Sequence, residues 1–216
     1  SGSGHNITYF MPLNPGAQKS FGNGYTCCAG TGMENHTKYQ DSIYFKSADE
    51  TTLYINLYIP SVLNWTKKGF RMRQETDWPS QQSSTFTIEQ GGQLDIKFRV
   101  PYWSGSDFSI TINGVEQEIE ATAGSYVTIS RTWAAGDVIV VSFPYKFRVE
   151  PTPDDPNTFA IFYGPILLVG RDDRTSWISL SLNMNDLSQS ITPVAGQPFT
   201  FTTNGITLVP MYTASG

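Results

Sequence analysis

Charge is scarce in this sequence. Of its 216 residues, 15% are Asp, Glu, Lys or Arg, with 14 cations against 19 anions and a net charge of −5. A nucleic-acid partner needs a cationic face to neutralise phosphates, and this balance argues against one. Cysteine and histidine occur only twice each. The two cysteines, Cys27 and Cys28, are neighbours, and a bridge between neighbours is strained, so they are not a disulfide framework. No apolar run reaches the roughly 20 residues of a membrane-spanning helix, and no stretch reads as a signal peptide. Internal repeats, low-complexity tracts, a phosphate-cradling glycine loop and the wording of a Ser-His-Asp triad are all missing.

Aromatics, glycine and proline are plentiful: 13% of residues are Phe, Trp or Tyr, beside 19 Gly and 13 Pro. Low charge with many Tyr, Phe, Thr and Ser suits sheet surfaces. Ser1-Gly2-Ser3-Gly4 has the composition of an artificial linker, which sets residues 1–4 apart from the fold. Residues 5–30 read as loop, with one short strand near Ile7–Phe10. Sequons at Asn6, Asn35 and Asn64 are common by chance and carry no weight.

Helical wording occurs once. Thr31 with Glu34 three positions on makes a capping box, and Met33, His36, Tyr39, Gln40 and Ile43 follow at helical spacing, which predicts a helix over 32–45. The cysteines then sit just before its N-terminus, where the dipole and free amides lower a thiol's pKa. The pattern offers a nucleophile or a metal ligand. Packing is the ordinary fate of such a pair, and two thiols alone do not complete a tetrahedral zinc site. His36 could add a third ligand, although within a helix it reads more simply as a polar or packing residue.

From residue 51 the apolar period becomes two. Leu53, Ile55, Leu57 and Ile59 alternate up to Pro60, as do Leu94, Ile96, Phe98 and Val100. Phe108, Ile110 and Ile112 run into Asn113-Gly114, a strong hairpin signal, with residues 115–119 returning. Further strands are expected at 70–75, 85–88, around Val127 and Ile129, and at 138–143. Many short strands between turns predict an antiparallel β-sandwich over 51–150. The proline-rich run 151–157 breaks the chain. Beyond it, Phe159–Val169, interrupted at Gly164-Pro165, then 177–182, 199–202 and 206–211 read as strands. They either complete the sandwich or form a small second β unit over 158–216. Completion is favoured, because three or four strands make a thin core.

The cysteine stretch has a distinctive wording. Cys27-Cys28-Ala29-Gly30-Thr31-Gly32-Met33-Glu34, continued through His36-Thr37-Lys38-Tyr39 and Asp41-Ser42-Ile43-Tyr44-Phe45, resembles a segment of the β-L-arabinofuranosidases of glycoside hydrolase family 127 and its relative family 146. Tyr9-Phe10-Met11-Pro12-Leu13, Gly16 and Lys19 resemble what precedes it there, Leu53 to Ser61 the first sandwich strand, and Phe162 to Leu168 a later one. The resemblance implies the C-terminal part of a retaining glycosidase acting on an arabinose-containing glycan. Residues 5–50 would be the cysteine loop and last helix of an (α/α)6 barrel. Cys27 would be the catalytic nucleophile, and Cys27 and Cys28 two ligands of a zinc ion. The other zinc ligands and the acid/base Glu lie upstream in that family, so the chain alone is expected to be inactive and to bind zinc weakly or not at all. Glu34 inherits no role.

Other candidates are weaker. Trp65, Trp78, Tyr102 and Trp103 offer a sugar-stacking platform, or simply fill core. Asp154 and Asp155 suggest calcium, or solvated turn residues. Arg171-Asp172-Asp173-Arg174 reads as an exposed ion-pair cluster. A carbohydrate-binding sandwich and a purely structural one stand beside the enzymatic reading.

Overall fold

The computed structural model describes residues 14–18 and 27–214, the side chains of residues 27–29 excepted. The strand expected near Ile7–Phe10 lies outside the described residues. Among the described residues the fold is mainly β with a single α-helix, α1 (Cys27–Lys38). Its residues divide into two compact units, 37–145 and 146–216 together with 1–36.

In the first unit, β1 (Tyr44–Lys46), β2 (Thr52–Ile55), β6 (Gly92–Arg99) and β9 (Tyr126–Trp133) form a four-stranded sheet in the order β1-β2-β6-β9. A six-stranded sheet has the order β3-β4-β5-β10-β7-β8, with β3 Ser61–Trp65, β4 Phe70–Glu75, β5 Ser83–Gln90, β10 Val138–Ser142, β7 Ser109–Ile112 and β8 Val115–Glu116. Pairing is antiparallel except between β2 and β6, which run parallel. The sheets meet as a sandwich. Alternate residues of β5 and β6 are buried, and Phe86 of one sheet meets Phe98 of the other edge-on at 5.6 Å. Tyr58 extends this contact to Phe143 and donates its hydroxyl to the Arg99 carbonyl at 2.6 Å.

Strict alternation was enough to locate β6 and β7, whose apolar positions Leu94, Ile96, Phe98, Ile110 and Ile112 are all buried. The Asn113-Gly114 hairpin is present, with φ of 51° and 80°, the left-handed pair that a type I′ turn requires. Asn113 also ties two turns together. Its side-chain amide donates to Asp137 Oδ1 at 2.8 Å, while its Oδ1 accepts the Val138 amide at 2.8 Å. Asp137 Oδ2 accepts the Ala134 amide at 2.9 Å.

The Ala134 amide and then the Asn113 amide hold the Asp137 carboxyl below the usual carboxylate range, with Arg131 adding to the effect. A depressed folded pKa contributes stability that is complete above the unfolded value near 4 and is lost as pH falls through the folded one. Asp137→Ala is therefore expected to lower the unfolding free energy by about 2 kcal/mol at neutral pH, since charged hydrogen bonds are lost. Urea melts should show that difference narrowing below about pH 4. An equal difference at neutral and acid pH would refute the assignment.

The second unit holds one antiparallel sheet, β11-β12-β13-β16-β15-β14. Its strands are β11 (Phe147–Pro151), β12 (Phe159–Tyr163), β13 (Ile166–Arg171), β14 (Thr192–Pro193), β15 (Phe201–Thr203) and β16 (Ile206–Pro210). Phe147, Tyr163 and Phe201 pack mutually at ring separations of 4.8, 4.9 and 5.0 Å. All six strands pair with neighbours within this sheet. β11 ends on Pro151 at the sheet edge, where a missing amide is tolerated. The run 177–182, expected as a strand, is irregular. Asn204 satisfies Ser181 in place of a neighbouring strand, donating to its carbonyl and accepting its amide at 3.2 Å each.

Candidate functional site

Helix α1 starts earlier and ends earlier than its wording suggests. It opens at Cys27, so Thr31 lies in the second turn and does not cap the start, and it closes at Lys38. Gly30, read as loop, is helical, as is Gly32, and neither has positive φ. Each costs roughly 1 kcal/mol relative to alanine in a helix interior, which the helix absorbs. Residues 43–45, placed in the helix by spacing, are instead Ile43 and the start of β1. There the Asn56 and Leu57 amides donate to the Ile43 carbonyl at 2.9 and 3.4 Å. Of the apolar face expected on the helix only Ile43 is buried; Met33, His36, Tyr39 and Gln40 are exposed.

Both cysteines thus occupy the first helical turn rather than the loop before it. In general the amides of a helix's first turn lack intrahelical acceptors, and the dipole favours an anion there. The roles expected of the thiols themselves fall on side chains outside the described residues. His36 is nine residues from Cys27, a rise of about 13 Å along a helix, too far to share a metal ion with it. Among the described residues no three His, Cys, Asp or Glu side chains come together as a metal site.

A general acid needs a carboxyl with a raised pKa. Hydrogen bonds hold Asp49, Glu50, Asp137, Asp155 and Asp186 below the usual range, and the Arg174 side chain brings Asp172 down to about 2. The two Asp155 oxygens accept the Asn157 amide at 2.9 Å and the Thr158 hydroxyl at 2.8 Å, the work of a turn residue. Asp172 and Arg174 form the ion pair expected of the 171–174 cluster, 2.6 Å apart.

A cleft of about 460 Å³ lies beyond the end of α1, lined by residues including Tyr39, Ile43, Tyr44, Ile59, Pro60 and Ser61. The Tyr44 hydroxyl donates to Gln74 Oε1 at 3.0 Å and is 2.9 Å from Ser61 Oγ. Burial pushes its pKa up, so it serves β1, β3 and β4 as a strut rather than as a proton carrier. Among the described residues no carboxylate lines the cleft.

The aromatic candidates separate into two pairs. Trp65 is half-buried under the Lys46 ammonium at 5.8 Å. Trp103 packs edge-on against Tyr145 at 5.4 Å and Phe143 at 6.0 Å. Trp78 and Tyr102, by contrast, are 47% and 61% exposed. Next to them Ser104 is 2% exposed and its hydroxyl has no hydrogen-bond partner among the described residues. Removing an unpaired buried hydroxyl forfeits nothing, so Ser104→Ala should leave the urea midpoint unchanged or raise stability by up to about 1 kcal/mol. A clear loss would mean that the hydroxyl is bonded after all.

Residues 52–145, nearly the whole first unit, match the family model described as β-L-arabinofuranosidase, GH127 middle domain. No curated protein matches the chain. A solved structure described as a glycoside hydrolase aligns with a TM-score of 0.64 at 20% identity, over 96% of this chain and 41% of its own. The GH127 β-arabinofuranosidase BT3674 aligns with a TM-score of 0.65 at 20% identity, over 96% and 40%. A GH127 β-L-arabinofuranosidase from Geobacillus stearothermophilus T6 gives 0.58 at 22% identity, over 66% and 23%. The chain therefore spans about two-fifths or less of these relatives, and at such identities the likeness is one of fold. Residues 52–145 thus match the GH127 middle-domain model, and the chain as a whole is similar in fold to part of these glycoside hydrolases.

Proposed function

We propose that this chain is the portion of a retaining β-L-arabinofuranosidase-like hydrolase that contributes the nucleophile. What carries the reading is sequence order: the Cys-Cys stretch stands immediately before a segment that matches the GH127 middle domain. The Cys27 sulfur attacks the anomeric carbon of an arabinofuranoside as the bond to the leaving oxygen breaks. A carboxylic acid from elsewhere in the enzyme protonates that oxygen. The same carboxylate then takes a proton from water, whose oxygen displaces the sulfur and releases the sugar with retained configuration.

Cys27 and Cys28 would be two ligands of a zinc ion. Adjacent thiols in one helical turn suit that metal by donor type, and they amount to half a tetrahedral shell. Bound zinc would keep both sulfurs as thiolates at neutral pH. Since the acid and the remaining ligands come from outside the chain on this reading, the 216-residue polypeptide alone should not turn over an aryl arabinofuranoside. A polypeptide extended to the length of the solved relatives should do so. Acid quenching of that reaction followed by peptide mass spectrometry should find a pentosyl group on the Cys27 peptide. Turnover by the short chain, or an adduct on another residue, would refute the proposal.

A further inference from the structure

The exposed aromatics at one end of the first unit are held in a way that packing does not require. Trp78 precedes Pro79, whose carbonyl accepts the Tyr145 hydroxyl at 3.2 Å. Tyr102 precedes Trp103, whose ring packs against that same Tyr145. One buried side chain thus anchors both loops. The first is fixed further: Gln82 Oε1 accepts the Tyr145 amide at 2.8 Å, and Gln81 Nε2 donates to Ser83 Oγ at 3.0 Å. The Asp77 amide donates to Gln81 Oε1, and the Asp77 carbonyl accepts the Gln81 amide. In the second loop the Ser104 amide donates to the Pro101 carbonyl at 3.0 Å. Two large rings are therefore kept exposed on pinned backbone, at a hydrophobic cost that burial would have avoided.

We infer that Trp78 and Tyr102 form a binding surface for a neutral glycan, separate from the cysteines. Residues 76–83 and 101–108 hold no Lys or Arg, which argues against nucleic acid or anionic lipid as the occupant. The two loops also carry Ser80, Gln81, Ser106, Asp77 and Asp107, short polar groups able to hydrogen-bond sugar hydroxyls. Ring faces that take the C–H side of a sugar, beside amide and carboxylate groups that take its hydroxyls, are complementary to an uncharged polyol.

The test uses the 216-residue chain carrying Cys27→Ser, so its outcome does not depend on the catalytic reading. Electrophoresis through gels containing arabinan or arabinoxylan should retard it. Calorimetry with the corresponding oligosaccharides should show binding, with the dissociation constant raised about tenfold or more by Trp78→Ala and by Tyr102→Ala. Trp78→Phe should keep most of the affinity, and Trp177→Ala, another exposed ring (71%), should keep all of it. Because both target side chains are exposed, the variants should melt like the parent. Unchanged mobility in every polysaccharide, or equal affinity in Trp78→Ala, overturns the inference. So does concentration-dependent self-association lost in the double variant, which would assign the rings to a second copy.

Discussion

Gly91→Ala should unfold the first unit or come close to it, at a cost of about 3–5 kcal/mol against a total of about 5–15. At this residue the chain leaves β5 in one sheet to enter β6 in the other. A Cβ there would lie 2.0 Å from the Trp133 carbonyl oxygen, 2.6 Å from its carbon and 3.1 Å from Ala134 Cα. All three are backbone atoms, so no side chain can swing aside. Trp133 is itself fixed: it is 2% exposed, its indole donates to the Leu94 carbonyl at 2.9 Å, and it pairs with Gly92 at the start of the β6–β9 ladder. Relief requires moving that ladder. Gly114 is the informative control, with positive φ but nothing within 4 Å of an added Cβ, so Gly114→Ala should cost only about 1 kcal/mol. Urea melts of the two variants decide the matter. A Gly91→Ala protein within 1 kcal/mol of the parent would show that the crossover is softer than its geometry implies.

The positions that sequence located were those where one local rule acted alone. Alternation along β6 and the Asn113-Gly114 signal each named a register without help from distant residues. Where tertiary bonds compete, the pattern misled. Leu53 to Ile59 alternate throughout, yet β2 ends at Ile55. Asn56 turns to donate to the Ser42 carbonyl, and Tyr58 to the Arg99 carbonyl. β1 has three residues and owes its form to pairing with β2, such as Tyr44 with Ile55, which the helical spacing of Ile43 concealed. The parallel alignment of β2 with β6 leaves no mark that alternation could reveal. At the candidate site the limit is of another kind. The roles expected of the thiols fall on side chains outside the described residues, while Tyr145 as the anchor of two exposed rings had no signal beyond being one more aromatic.

Replacing the Cys27 sulfur by oxygen should abolish the activity of the extended enzyme, lowering kcat by roughly four to six orders of magnitude as for loss of other covalent nucleophiles. A serine hydroxyl is not ionised at neutral pH, and it is a poor ligand where zinc would hold a thiolate. Cys28→Ser separates the two roles. It leaves the attacking atom in place and removes only a ligand, so it should cost a smaller factor and a fall in bound zinc. Serine and cysteine have similar helix propensities, so α1 should persist in both variants and circular dichroism should not distinguish them. Initial rates on an aryl β-L-arabinofuranoside, with zinc content measured on the same samples, give the comparison. If Cys27→Ser and Cys28→Ser lose rate equally and in step with zinc, both sulfurs are ligands and neither is the nucleophile. If Cys27→Ser keeps its rate, the thioglycosidic route is wrong, and the glycan surface at Trp78 and Tyr102 would be the carbohydrate chemistry left to this chain.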